Sequence, residues 1–248
     1  MFKRELCLKK THDFCAAKTP RLVVVMIHGI ASDSTTFNSA LKYLEGTRSL
    51  KDVRFVTFDL LGSGKSLKSD RLNYDYADQL EALHNAISKL KLGSTPLVLV
   101  GHSLGTFIVT RYADTYKGTL KKLILISPPI YTEEDLDNPA FEKAIKVFKD
   151  AVSLKDHNIL QEKSFNNSME KIVLNRKNYK VLAGITTPTI LIYGNMDQII
   201  ASYNVPKVLK ENSKHLTAIK TEGKHGITHD KYSKMVNILE EVLNAETL

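Results

Sequence analysis

Short, almost wholly apolar runs alternate with amphipathic stretches along most of this chain, and that alternation limits the folds open to it. Leu22 to Ile27 reads LVVVMI, with no polar residue to face water on either side. A strand of that kind must be covered on both faces. Further runs follow at Val53–Leu60, Leu97–Val100, Leu123–Ile126 and Thr189–Tyr193, with a weaker one at His215–Lys220. Between them lie helical patterns. Ala77, Leu80, His84, Ile87 and Leu90 recur at three- and four-residue spacing, as do Leu104, Phe107, Ile108, Tyr112 and Tyr116. Near the C-terminus Met235, Ile238, Leu239 and Val242 share a helical face. The pattern predicts an α/β fold, a mostly parallel central sheet with helices on both faces.

Residues 131–184 break the rhythm. They hold no strand pattern but do hold charged helical ones, such as Phe141, Ala144, Ile145 and Phe148. The expected organisation is a core of residues 1–130 and 185–248 with a helical insertion at 131–184. No internal repeat or low-complexity segment is visible.

Bulk properties exclude several function classes. The net charge is +8, but 28 of the 35 basic residues are lysines, and they are scattered. Nucleic-acid binding calls for a concentrated basic patch, so a solvated lysine-rich surface is expected instead. No stretch approaches the ~18 apolar residues of a membrane span, so no stable membrane insertion is expected. The opening MFKRELCLKK lacks the apolar segment of a signal peptide, and Cys7 and Cys15 form neither a disulfide framework nor a zinc-ligand pattern. These features together predict free thiols and a cytoplasmic protein.

The sharpest local signal is Gly101-His102-Ser103-Leu104-Gly105, between a predicted strand and a predicted helix. G-x-S-x-G in that setting reads as a nucleophile elbow. The serine occupies a tight, strained strand-to-helix turn, and glycines two residues before and after avoid collision with neighbouring backbone. A serine hydroxyl needs a base, and the base needs a carboxylate, in the chain order serine, acid, histidine. His28 and His102 precede the serine. His84 sits in a helix pattern, His157 in the insertion, and His215 at a strand start. His225 follows the HLTAIK strand through a short loop, whereas His229 begins the last helix, so His225 is the expected base. Asp197 lies just past the Thr189–Tyr193 strand and is the expected acid; Asp59 precedes the serine, and Asp230 is too near His225 in sequence. An oxyanion needs two donors. The backbone N–H groups of Leu104 and of Ile30, in the loop His28-Gly29-Ile30, are the candidates.

LVVVMIHGI, FDLLGSGKS, GHSLG, YGNMD and GKHG, in this order, resemble the α/β-hydrolase superfamily. They are similar to its histidine-glycine oxyanion loop (His28, Gly29), its D-x-x-G-x-G-x-S turn (Asp59, Gly62, Gly64, Ser66), its nucleophile elbow with Gly101 and Gly105, its acid loop and its histidine loop. The resemblance spans residues 21–245. It implies that residues 131–184 form a lid and that neither cofactor nor metal is used. Two places depart from the pattern: Lys224 precedes the histidine, and the loop after Gly29 is the polar IASDSTTF.

These residues predict a serine esterase that forms an acyl-enzyme on Ser103 from a small-molecule carboxylic ester. Related amide, thioester, lactone or carbon–carbon cleavage, acyl transfer, and a slow-turnover small-molecule receptor on the same fold are the alternatives. The shortness of the 131–184 segment predicts short acyl chains, with Phe141, Phe148 and Phe165 as candidate substrate contacts. Gly62-Ser63-Gly64-Lys65-Ser66 ends like a phosphate-binding loop, but the full motif requires glycine where Asp59 stands, so a structural turn is expected there.

Overall fold

The computed structural model describes residues 5–116, 118, 120–153, 162–197, 199–225 and 232–245. Its centre is a seven-stranded sheet: β1 (Lys9–Phe14), β2 (Leu22–Ile27), β3 (Val53–Asp59), β4 (Leu97–His102), β5 (Leu120–Ile126), β6 (Thr189–Gly194) and β7 (Leu216–Thr221). The spatial order is β1-β3-β2-β4-β5-β6-β7. All neighbours run parallel except β1, which lies antiparallel to β3 at the edge.

The all-apolar strands are explained by what covers them. Along β2, Val23, Val25 and Ile27 face one apolar cluster, while Leu22, Val24 and Met26 face the other. Successive side chains point to opposite faces, so both layers need hydrocarbon at every position. Two helices, α1 (Asn38–Gly46) and the C-terminal one, Tyr232–Ala245, pack against one face with Leu41, Leu44, Leu239 and Leu243. The other face is covered by α2 (Tyr76–Ser88) and α3 (Leu104–Thr115), through residues such as Leu83 and Ile108. On the C-terminal helix, Leu239 and Val242 are buried and Ile238 packs against them; the Met235 side chain falls outside the described set.

Between β5 and β6 every regular element among the described residues is helical: α4 (Glu133–Leu136), α5 (Pro139–Ser153), α6 (Glu162–Ser168), a π-helical turn at Met169–Val173, and α7 (Asn178–Ala183). After β6 comes α8 (Val205–Glu211), so the C-terminal helix is α9. The fold class and the six predicted strands therefore stand: β2 has the predicted ends, and the other five differ at one or both ends by one to three residues. β1 is an addition. Its sequence, KKTHDF, is polar and exposed at both ends, and no pattern marks it as a strand. What holds it is specific pairing: Asp13 receives a forked ion pair from Arg54 of β3, at 2.7 Å to each oxygen, and Thr11 meets Thr57 at 2.7 Å. His157, His229 and Asp230 lie outside the described residues.

Candidate active site

The parallel sheet gathers the expected residues at the carboxyl ends of its strands, where open α/β sheets place their ligands. β4 ends at His102, and Ser103 follows with φ of 50° and ψ of −118°, a conformation that L residues rarely adopt. The chain then turns at once into α3. A Cβ on Gly105 would stand 2.3 Å from the carbonyl oxygen of Ile27, and one on Gly101 would stand 2.6 Å from the backbone of Gly105. Only glycine lets strand and helix approach so closely at this turn.

Gly194 at the end of β6 pairs in register with Thr221 at the end of β7, so the acid and histidine loops leave the sheet side by side. They are laced together: Asn195 N–H donates to Thr221 O at 2.8 Å, and Met196 N–H to Gly223 O at 2.9 Å. These bonds bring Asp197 and His225 into contact, with Nδ1 of His225 2.9 Å from Oδ2 of Asp197. On the other side, Nε2 of His225 lies 2.9 Å from Oγ of Ser103. The Asp197 side chain is fully buried and that of His225 is 19% exposed. Ile199 N–H donates to the other Asp197 oxygen at 3.0 Å. A carboxylate only accepts, so Nδ1 carries the imidazole proton and the Nε2 lone pair faces the serine hydroxyl.

Ile30 lines the same cavity as Ser103, and Leu104 opens the first turn of α3, whose N–H groups point back toward the serine. Gly29 lies directly against Ser103: a Cβ there would sit 3.0 Å from Cβ of Ser103. His28 is fully buried and fixes this loop. Its Nδ1–H donates to Gly29 O at 2.8 Å, and its Nε2 accepts from Leu60 N–H at 3.0 Å. Burial holds its pKa below the usual imidazole value.

A cavity of about 280 Å³ opens beside Ser103. Phe141, Ala144, Ile145, Phe148 and Val152, one face of α5, form one wall. Met169 and Val173 of the π-helical turn, both buried, form another. Of the three candidate phenylalanines, Phe141 and Phe148 reach the cavity. Phe165 does not: α6 turns it into the core behind Phe148, with ring centroids 6.5 Å apart. Met169, Val173, Tyr131 and Ile199 also line the cavity and were not singled out from sequence, because the turns that present them carry no periodic signal.

His102 is a further participant that sequence order sets aside. It is buried, it lines the cavity, and its Nε2–H donates to the backbone carbonyl of His225 at 3.2 Å. Its Nδ1 has no partner among the described groups. Burial, and then the proximity of His225, push its pKa down to about 4.

The phosphate-loop resemblance resolves into a structural turn. Oδ1 of Asp59 accepts from Ser34 N–H at 2.9 Å and Oδ2 from Lys65 N–H at 2.7 Å, while the Ser66 hydroxyl donates to Asp59 O at 2.5 Å. Among the described residues no group of three or more His, Cys, Asp or Glu side chains could hold a metal ion. Nor is any described helix long and apolar enough to cross a membrane.

A mostly parallel sheet carrying a serine, histidine and aspartate chain past its carboxyl edge has the form of an α/β-hydrolase. Residues 23–158 match the family described as alpha/beta hydrolase fold, and the chain belongs to that family. It is 36% identical, over 44% of its length, to the Arabidopsis thaliana protein named "Probable lysophospholipase BODYGUARD 1", and the match covers 23% of that protein. Among solved structures it is similar to a monoacylglycerol lipase of Paleococcus ferrophilus, with a TM-score of 0.68 and 22% identity over 96% of this chain and 98% of that one. It is also similar to a carboxylesterase structure from Nitrososphaera gargenis, with a TM-score of 0.72 and 18% identity over 100% of this chain and 99% of that one. These structural likenesses establish the fold.

Proposed function

We propose that this protein is a serine hydrolase that cleaves carboxylic esters through an acyl-enzyme on Ser103. The observation that carries the reading is the unbroken chain from Ser103 Oγ through His225 to Asp197, with 2.9 Å at each link. Similarity to proteins named as lipases and carboxylesterases agrees with it.

In the proposed reaction Ser103 Oγ attacks the ester carbonyl carbon while its proton passes to Nε2 of His225. The carbonyl oxygen gains the electron pair and is held by the N–H groups of Ile30 and Leu104. As the carbonyl re-forms, the bond to the alcohol oxygen breaks and His225 gives that oxygen the proton. Water then repeats the sequence: its oxygen bonds the acyl carbon, its proton goes to His225, and Ser103 leaves as the carboxylic acid departs and takes the proton back. Asp197 keeps the proton on Nδ1 and stabilises the imidazolium of each half-reaction. Residues 131–184 act as a lid whose α5 closes the cavity from one side.

Hydrolysis of p-nitrophenyl butyrate tests the reading. The parent protein turns over many times, and Ser103→Ala falls to the uncatalysed rate. Equal rates for the two proteins overturn it.

A further inference from the structure

We infer that the cavity beside Ser103 is an acyl pocket sized for medium chains of about eight to twelve carbons, and that Val152 sets its far limit. This deepens the ester-hydrolysis reading and rests on it.

The cavity has a near end and a far end. Phe141 packs edge-on against Tyr131, with centroids 4.7 Å apart, and the Tyr131 hydroxyl donates to the carbonyl of Ile199 at 2.5 Å. Ile199 is bonded to Asp197, so the Phe141 end of α5 stands beside the catalytic chain. Val152 is three turns further along the same helical face. At about 1.5 Å per residue, the wall from Phe141 to Val152 is about 16 Å long.

Two measures of capacity agree. An extended covalent chain advances roughly 1.2 Å per bond, so a wall of that length matches about thirteen bonds. A cavity of about 150 Å³ holds a six-carbon ring, and this one, at about 280 Å³, is nearly twice as large. Volume therefore points to about eleven carbons. The shortness of the helical insertion suggested short acyl chains, but a short segment still builds a long wall when one fifteen-residue helix lies along the cavity.

The lining chemistry narrows the class further. Among the described lining residues there is no Lys, Arg, Asp or Glu, and the two imidazoles, His102 and His225, stand at the catalytic end. Phe148, Val152, Met169 and Val173 present only apolar side chains to the cavity. A carboxylate at the end of the acyl chain would be stranded there without a partner. The pocket thus takes an uncharged aliphatic acyl group.

The test is kcat/KM for p-nitrophenyl acetate, butyrate, octanoate, decanoate and palmitate, each kept monomeric, and for the octanoate analogue bearing a terminal carboxylate. The expected profile rises by roughly fourfold per methylene over part of the series, the increment of burying one CH₂. It peaks at octanoate or decanoate and falls for palmitate. The terminal carboxylate lowers the octanoate value at least a hundredfold. Val152 is only half-buried, so both Val152→Phe and Val152→Ala should fold. Val152→Phe lowers the decanoate-to-acetate ratio at least tenfold, and Val152→Ala moves the peak toward longer chains. A profile that peaks at acetate, or a decanoate-to-acetate ratio unmoved by either variant, overturns the pocket while leaving ester hydrolysis standing. A parent protein no faster than Ser103→Ala on every ester overturns the reading beneath it.

Discussion

His102 Nε2–H donates to the backbone carbonyl of His225 across 3.2 Å, so the residue beside Ser103 tethers the loop that carries the proposed base. Displacing a catalytic group by about 1 Å can cost on the order of a hundredfold in rate. His102→Ala is therefore expected to lower kcat by about ten- to a hundredfold with a smaller change in KM. Gln at this position extends an N–H donor to a similar reach, and His102→Gln should recover most of the loss. Steady-state kinetics of the two variants on one ester decide this; equal losses would show that the hydrogen bond is not what positions the loop.

The same imidazole makes stability depend on acidity. Its pKa is lowered from 6.5 to about 4 by burial, so between those values the unfolded chain binds a proton that the folded protein refuses. Stability is then lost as pH falls from about 6.5 toward 4. Urea unfolding across this range should show a steeper loss for the parent than for His102→Gln, which has no proton to take up at that position. Parallel curves would contradict the prediction.

Ser103 stores backbone strain in order to present its hydroxyl. Its φ of 50° and ψ of −118° suit glycine better than serine. Ser103→Gly should abolish ester hydrolysis and yet raise stability by about 1 kcal/mol, relief of strain outweighing the lost bond to His225. Ser103→Ala keeps the strain and should show no such gain. Thermal unfolding of the two variants compares them directly, and a glycine variant less stable than the alanine one would refute the strain argument.

Asp59 is 2% exposed and accepts two backbone N–H groups, from Ser34 at the start of a 3-10 turn and from Lys65. Asp59→Ala strands both donors, at roughly 2–5 kcal/mol in all. Asp59→Asn keeps an acceptor oxygen and should cost about half as much. Denaturant midpoints of the two variants measure the difference.

The legible parts of this chain are those in which a local pattern and a tertiary demand coincide. β2 and β4 are buried on both faces, so their sequences carry nothing but apolar residues and glycine until the elbow. The meeting of Ser103, Asp197 and His225 was readable because each follows a strand in a fixed order, and parallel strands end at one edge. β1 was not readable: an edge strand needs little burial, and KKTHDF is held by the Arg54 fork and the threonine pair rather than by its own pattern. Phe165 misled because an apolar ring in the 131–184 insertion can serve a cavity or a core equally well, and here it packs in the core. The tether from His102 was hidden for another reason: its acceptor is a backbone carbonyl, which any residue at position 225 would supply.

The most direct test of the account is the intact mass of the protein after exposure to diethyl p-nitrophenyl phosphate, which phosphorylates an activated serine and releases one p-nitrophenolate. The account predicts one diethylphosphoryl group per chain, on Ser103, with none on Ser103→Ala and markedly slower labelling of His225→Ala. A parent protein that stays unlabelled, or one labelled anywhere but Ser103, would contradict it.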